Sequence, residues 1–432
     1  MHLSSPRDLI TQMEDARART HALIDGLDGV QMMGPRLSTV NPLRWEIGHA
    51  AYFYEYWVLR SHLGEAAGRP DVDRLYDSIH IAHDTRWDLP LPSLPETLAY
   101  MGGVLDRVRT HLEQDGPDPE RDYLAQYAVF HEDMHTEAFT YTRQTLGYPA
   151  PRIGLAHDAA WEAGPLAGDV DVPGGEFRLG AEPGDGFVFD NEKWAHPVEV
   201  QPFRIARAAV RNADFAAFVD DGGYRRETLW DPEGWAWRRA CGLEHPVYWR
   251  RGAEGWEQRR FDRWEPIVAN AAIIHVNWYE ARAWCRWADR RLPTELEWEV
   301  AAAGEPAADG TVLAPTQRRY PWGDAPPDPI RANLDGGALG PIDVGALPAG
   351  DSAFGCRQMI GNAWEWTDTV FGPYPGFTPD MYADYSQPLF GETRVLRGGG
   401  WATRSRLIRN TWRNYYGPDR NDVFAGFRTC AP

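Results

Sequence analysis

The chain has 432 residues, too many for one ordinary domain, so two domains are expected. It is 43% hydrophobic and 25% charged, the balance of a globular protein rather than a disordered one. A formal net charge of −19 argues against a nucleic-acid surface, because phosphate recognition needs a basic patch. No apolar run reaches membrane-spanning length, and the opening MHLSSPRDLI has no signal-peptide core, so no membrane partner is expected. The four cysteines, Cys241, Cys285, Cys356 and Cys430, form no CxxC pair. That usage suits a reducing cytoplasm, the expected location, and offers no thiolate metal site.

In chain order, residues 5 to about 147 read as four amphipathic helices. Ser5 and Pro6 form an N-cap with proline at the first helical position, and Asn41-Pro42 repeats the device before LRWEIGHAAYFYEYWVLR. Ser93 and Glu96 form a capping box ahead of the third helix. The fourth runs from about Asp122 to Leu146, where Gly147 and Pro149 stop it. The pattern predicts an antiparallel four-helix bundle over residues 1–150, with a long link between its second and third helices.

From about Val172 the texture changes. Short strand-like runs such as GEFRLG and TRVLRGGGWA alternate with Gly, Pro, Asn and Asp, and only brief helices interrupt them. This predicts a loop-rich α+β domain over residues 165–432, with residues 147–170 as connector. No internal repeat or low-complexity tract is present.

The fourth helix carries HEDMH, residues 131–135. His131 and His135, at i and i+4, share one helix face, and the pattern matches the H-E-x-x-H of zinc hydrolases. A metzincin would need glycine at 138 and histidine at 141, where this chain has Ala138 and Tyr141. The hydrolase reading also lacks a visible third ligand. Glu132 is expected to point away from the ligand face, solvated or salt-bridged. His49 lies mid-way along the second helix, and neighbouring helices of a bundle could bring it level with the pair. Three imidazoles with coordination positions left open would make a divalent-metal site. The competing reading is three core or surface histidines.

The second half carries seven motifs in order: VPGGEFRLG (172–180), DNEKWAHPVEV (190–200), NADFAAFVDDGGY (212–224), RLPTELEWEVAA (291–302), YPWGD (320–324), GNAWEW (361–366) and RVLRGGGWA (394–402). The series resembles the formylglycine-generating-enzyme-like domain, a C-type-lectin-like fold, over roughly residues 165–430. Many of the 20 tryptophans fall in these motifs and are assigned to its core. The first half resembles a DinB-like helical bundle. That pairing is the architecture of the ergothioneine sulfoxide synthase (EgtB) family.

The resemblance implies an iron(II) ion held by His49 of WEIGH and by His131 and His135, with O₂ as co-substrate. It also implies hercynine, the trimethylated histidine, as a substrate. Tyr382 in PGFTPDMYADYS matches the family's proton donor. Tyr385 matches a residue near the hercynine imidazole, and Asn414 of WRNYY one that holds its carboxylate, with Tyr415 beside it.

Three positions depart from the family pattern. His83 in HDTRWDLP stands where the family's first of two carboxylate-gripping arginines belongs, Arg86 matching the second. Tyr416 replaces an acid that binds an ammonium group. Met134 replaces a glutamine that hydrogen-bonds the imidazole, and a thioether is a poor acceptor. Losing charged grips suits a neutral, hydroxyl-rich donor, as in the selenoneine synthase branch (SenA), which uses a selenosugar. A thiol donor such as γ-glutamylcysteine or cysteine is the nearest alternative. An H-E-x-x-H metallohydrolase and a non-catalytic lectin-like binding module are more distant ones. Formylglycine generation itself is not expected, because Cys285, Cys356 and Cys430 lack that family's close spacing.

Overall fold

The computed structural model describes residues 4–153 and 161–432. The chain divides into two compact units: Met1–Ile153 with Gly184–Phe187, and Gly154–Pro183 with Val188–Pro432. Part of the expected connector, residues 154–160, lies outside the described residues. The short segment Gly184–Phe187 belongs with the helices, which the expected boundaries did not foresee. Phe187 stacks on Tyr123, with ring centroids 5.0 Å apart, and meets Tyr127 and Phe130 edge-on.

The helical unit contains α1 (Pro6–Ile24), the short α2 (Gly29–Met33), α3 (Leu43–Tyr54), the short α4 (Val72–Tyr76), α5 (Leu94–Gln114) and α6 (Pro119–Leu146). Ser5 caps α1 by accepting from the Asp8 N–H, and Ser93 with Glu96 closes the expected box on α5. Helix α6 begins earlier than expected, because Asp118 accepts the Arg121 N–H at 3.0 Å and Pro119 fills the first position. It ends at Gly147, whose φ of +65° is the left-handed stop.

Two expectations fail in this unit. Asn41 does not cap α3; its side-chain oxygen accepts from Arg86 instead, and the residue at the cap is Pro42. The second helix also does not run on uniformly, for Glu55–His62 continues it in wider π-helical winding. There Glu55 is fully buried and accepts from the Gly68 N–H (2.6 Å), Tyr100 (2.8 Å) and Arg107 (3.1 Å). A hydrophobic-period pattern does not announce a buried carboxylate of this kind.

Helices α1 and α3 each pack against both α5 and α6. Their shared core includes Leu23, Leu43, Ile47, Met101 and Phe139, each of which contributes about 1.5–3 kcal/mol by burial. Gly48 fixes a close approach: a Cβ there would lie 2.2 Å from the Tyr76 ring. Only glycine lets α4 pack so near α3.

The second unit is built of short pieces. Strand β1 (Asp169–Val172) pairs with β4 (Phe203–Ala206), and β2 (Gly175–Leu179) with β3 (His196–Val200). Helices α7 (Asn212–Asp220) and α8 (Pro232–Cys241) precede the three-stranded β5 (Trp249–Arg251), β6 (Trp256–Arg260) and β7 (Arg263–Pro266). Then come α9 (Trp278–Trp287), α10 (Glu295–Ala303) and the β8 (Gly304–Pro306)–β9 (Leu313–Gln317) pair. A four-stranded sheet closes the unit in the order β12 (Asn414–Tyr416), β11 (Arg394–Arg397), β10 (Trp364–Val370), β13 (Ala425–Gly426). Trp298, Phe177, Val200, Ile205 and Met359 form its main core.

This core also holds paired charges. Arg397 reaches Glu295 (2.7 Å) and Glu299 (2.6 Å), Arg413 reaches Glu295 (2.7 Å), and Arg428 reaches Glu365 (2.6 Å), all buried. Among the described residues no helix is long and apolar enough to cross a membrane.

Candidate metal centre

His49 from α3 and His131 and His135 from α6 come together, with one ligand nitrogen from each within 4.8 Å of the others. Their rings meet edge-to-face, with centroids 5.0, 5.0 and 4.5 Å apart. Spacing explains half of this: the i, i+4 pair must share a face of α6. Packing explains the rest. Trp45 stacks parallel to His49 at 4.9 Å, and Phe53 stacks on His131 at 3.9 Å, so both rings are held from one side.

Hydrogen bonds set the tautomers. The His49 Nδ1–H donates to the Tyr76 carbonyl at 2.8 Å, the contact that Gly48 makes possible. The His135 Nδ1–H donates to the Glu46 carboxylate at 2.7 Å. Both assignments follow from the acceptor character of the partner oxygen, and both leave Nε2 with its lone pair. The Nε2 atoms of His131 and His135 face each other at 3.2 Å. Burial, and then the neighbouring His135, hold both His49 and His131 well below the usual imidazole pKa, so they are neutral. Neutral imidazoles with lone pairs converging on one point fit a divalent transition metal. A backbone carbonyl and a carboxylate orient two of the rings from behind, the arrangement metal sites use to fix their ligands.

Glu132 is salt-bridged, as one of the expected alternatives had it, but it is fully buried rather than solvated. Arg17 donates to it at 3.0 Å and Thr20 at 2.9 Å. A glutamate so engaged is no general base, which removes the hydrolase's main requirement. Among the described residues no carboxylate joins the three histidines as a further ligand.

His83 and Arg86 lie in the 3₁₀ turn His83–Asp88 of the helical unit. The His83 Nε2–H donates to the Val40 carbonyl at 2.8 Å, and its ring meets Trp87 edge-on. Arg86 donates to Asn41 at 2.7 Å and spreads over Trp45, 3.9 Å from the ring centroid. Arg86, Trp45 and His49 thus form one continuous stack. Met134 sits half-buried on α6 between the two ligand histidines.

The remaining candidates lie in the second unit. Tyr382 and Tyr385 share a short turn, closed by the Tyr385 N–H donating to the Tyr382 carbonyl at 3.0 Å. Residues 189–193 hold this turn. Asp190 accepts from Ser386 at 2.6 Å, Asn191 donates to Ser386 at 3.0 Å, Lys193 pairs with Asp380 at 2.6 Å, and Phe189 stacks on Tyr385 at 4.7 Å. Tyr415 donates its hydroxyl to the Tyr385 carbonyl and stacks on Phe371 at 4.0 Å. Burial raises the Tyr385 and Tyr415 hydroxyls well above the ordinary phenol range, so both stay neutral. Asn414 accepts the Tyr415 N–H through Oδ1 at 2.8 Å. Tyr416 lies under the Arg420 guanidinium, 5.1 Å from its ring centroid.

Sequence reasoning missed Glu46, Trp45 and Tyr76. Glu46 had a signal: it lies three residues before His49 and so on the same face of α3. The Tyr76 carbonyl had none, because a backbone acceptor is supplied by tertiary packing.

The sequence matches the DinB superfamily over residues 12–139 and the Sulfatase-modifying factor enzyme 1-like domain over residues 157–431. It is similar to proteins named hercynine oxygenase. The one from Mycolicibacterium smegmatis is 37% identical over 97% of this chain and 97% of its own length. The one from Mycobacterium tuberculosis is 39% identical over 99% of each. The formylglycine-generating enzyme of Streptomyces coelicolor is 34% identical over 63% of this chain and 93% of its own length.

Proposed function

The chain belongs to the hercynine oxygenase (EgtB) family, and on that premise we propose that it is a non-haem iron(II) enzyme coupling hercynine oxidatively to a selenosugar. The observation that carries the metal half of this reading is the convergence of the His49, His131 and His135 lone pairs. Iron(II) bound there supplies the redox chemistry that lets O₂ react. The balance is simple. One C–H bond of the hercynine imidazole, at the carbon between its nitrogens, and one Se–H bond break, and a C–Se bond forms. One oxygen atom ends on selenium as a selenoxide and the other leaves as water; elimination of the sugar then leaves a selenenic acid, which an external thiol reductant takes to selenoneine and water.

The chain's own residues have separable tasks. His49, His131 and His135 hold the ion. Asn414, with Oδ1 engaged by Tyr415, keeps its Nδ2–H₂ donor for the hercynine carboxylate. Tyr385 and Tyr415 offer neutral aromatic walls to an imidazole. Tyr382 delivers a proton from its hydroxyl, the role of a positioned general acid.

Donor choice is supported by the two replaced grips. His83 is committed to a backbone carbonyl, and Tyr416 carries a guanidinium on its ring, so neither position brings the charge that a doubly acidic, zwitterionic dipeptide asks for. A second reading, a sulfoxide synthase using γ-glutamylcysteine or cysteine, is favoured by the end-to-end similarity to hercynine oxygenases. Competition decides between them. The iron-loaded enzyme, hercynine and O₂ are offered a selenosugar, γ-glutamylcysteine and cysteine together, and the products are weighed. The selenium-containing product is expected to dominate; turnover of γ-glutamylcysteine alone would leave the second reading.

A further inference from the structure

We infer that Glu46 is a positioning residue for the divalent ion: it orients His135 and supplies the negative charge that makes three neutral imidazoles a tight site. The inference rests on the metal reading above and deepens it. Glu46 and His49 are three residues apart on α3 and share one helix face. Glu46 Oε1 accepts the His135 Nδ1–H at 2.7 Å, which turns Nε2 of that ring toward His131.

The second oxygen is the telling one. Glu46 is 2% exposed, and its buried Oε2 has no hydrogen-bond partner among the described residues. Its one ion-pairing partner there is His135 itself. Another buried carboxylate of the motif region, Glu132, has Arg17 and Thr20. A buried carboxylate without a cation is costly, and the usual remedies are an arginine, protonation or a metal. Glu46 has no arginine, and a divalent ion on the far side of His135 is the compensating charge. The same charge therefore works in opposite directions: it strengthens ion binding and burdens the metal-free protein.

This gives a test that a purely structural role would fail. Glu46→Gln keeps an acceptor for the His135 Nδ1–H and removes the charge. Full-length wild type, Glu46→Gln, Glu46→Asp and Glu46→Ala are stripped of metal and titrated with cobalt(II) against a chelator. The visible spectrum and the melting temperature are read with and without the ion. Glu46→Gln is expected to bind cobalt about 10–100-fold more weakly, as outer-shell changes do. Its metal-free form should melt no lower than the wild type. Glu46→Asp, which keeps the charge, should recover affinity if Glu46→Gln folds poorly. Glu46→Ala should also shift the cobalt absorption bands, because His135 is released. Wild-type affinity and spectrum in Glu46→Gln, beside loss of binding in His49→Ala, would overturn the positioning role alone. A wild-type protein that takes up no cobalt would overturn the metal reading with it.

Discussion

The histidine cluster of the helical unit and the charged core of the second unit bury polar groups in different ways. In the second unit, buried charge answers buried charge: Arg397 and Arg413 meet Glu295 and Glu299, Arg409 meets Glu192, and Arg428 meets Glu365. In the helical unit, three neutral imidazoles face one another, and the carboxylate behind them, Glu46, has an oxygen with no partner among the described residues. Networks whose charges are paired specify a fold. An open one asks for a ligand. The same unit shows the contrast within one motif: Glu132 of HEDMH is closed off by Arg17, while its two histidines converge with His49.

The largest effect expected from this contrast is on stability. Arg397→Leu strands Glu299 in the core, while Glu295 keeps Arg413, and should cost about 3–5 kcal/mol in denaturant unfolding. His49→Ala should leave the fold far less disturbed, and equal losses in the two variants would break the comparison. The next effect is catalytic. Tyr382→Phe should keep hercynine and metal binding, and slow or divert the oxygen chemistry by about a hundredfold. Unchanged rate and products would reduce Tyr382 to packing.

Donor specificity should respond less. His83→Arg restores one charged contact, worth about 1.5–3 kcal/mol, and should raise activity toward γ-glutamylcysteine roughly tenfold to a hundredfold. Tyr416→Asp is the weaker partner of this change, because Arg420 already lies over that position and would pair with the new carboxylate. Relative kcat/KM for the selenosugar and the thiol checks both.

The smallest effect is a pH slope. Burial, followed by Arg259, lowers the His275 imidazole to about 3, against 6.5 in the unfolded chain. Its neutral form is favoured by folding, so its contribution is complete above pH 6.5 and is lost as pH falls toward 3. From pH 6.5 to 5.5 the loss should be about 1 kcal/mol. His275 has a φ of +62°, so His275→Asn is the substitution its backbone tolerates best. That variant should show a shallower acid slope in thermal unfolding.

How much of this was legible depended on the range of the interactions. The His131/His135 pair follows from helical spacing, and the caps at Ser5 and Ser93 from local chemistry, so all were readable. The seven motifs of the second unit were readable through their resemblance to a known family, not through any local pattern. Asn41 was misread as a cap because Arg86, 45 residues away, competes for its side chain. The π-helical stretch, the Tyr76 carbonyl and the placement of Phe187 against Tyr123 all depend on distant partners, and no local pattern reports them. Glu46 stood in plain view, but a glutamate three residues before a histidine is ordinary until a second helix brings His135 to it.

The central claim is that His49, His131 and His135 together hold one functional iron. The most direct measurement is the iron content of anaerobically loaded wild type and of the three His→Ala variants, alongside their circular dichroism. The account predicts about one iron per chain in the wild type and, with helicity retained, loss of most of it in each variant, because removing a ligand costs more than the 10–100-fold of an outer-shell change. Full iron occupancy in His49→Ala would contradict it.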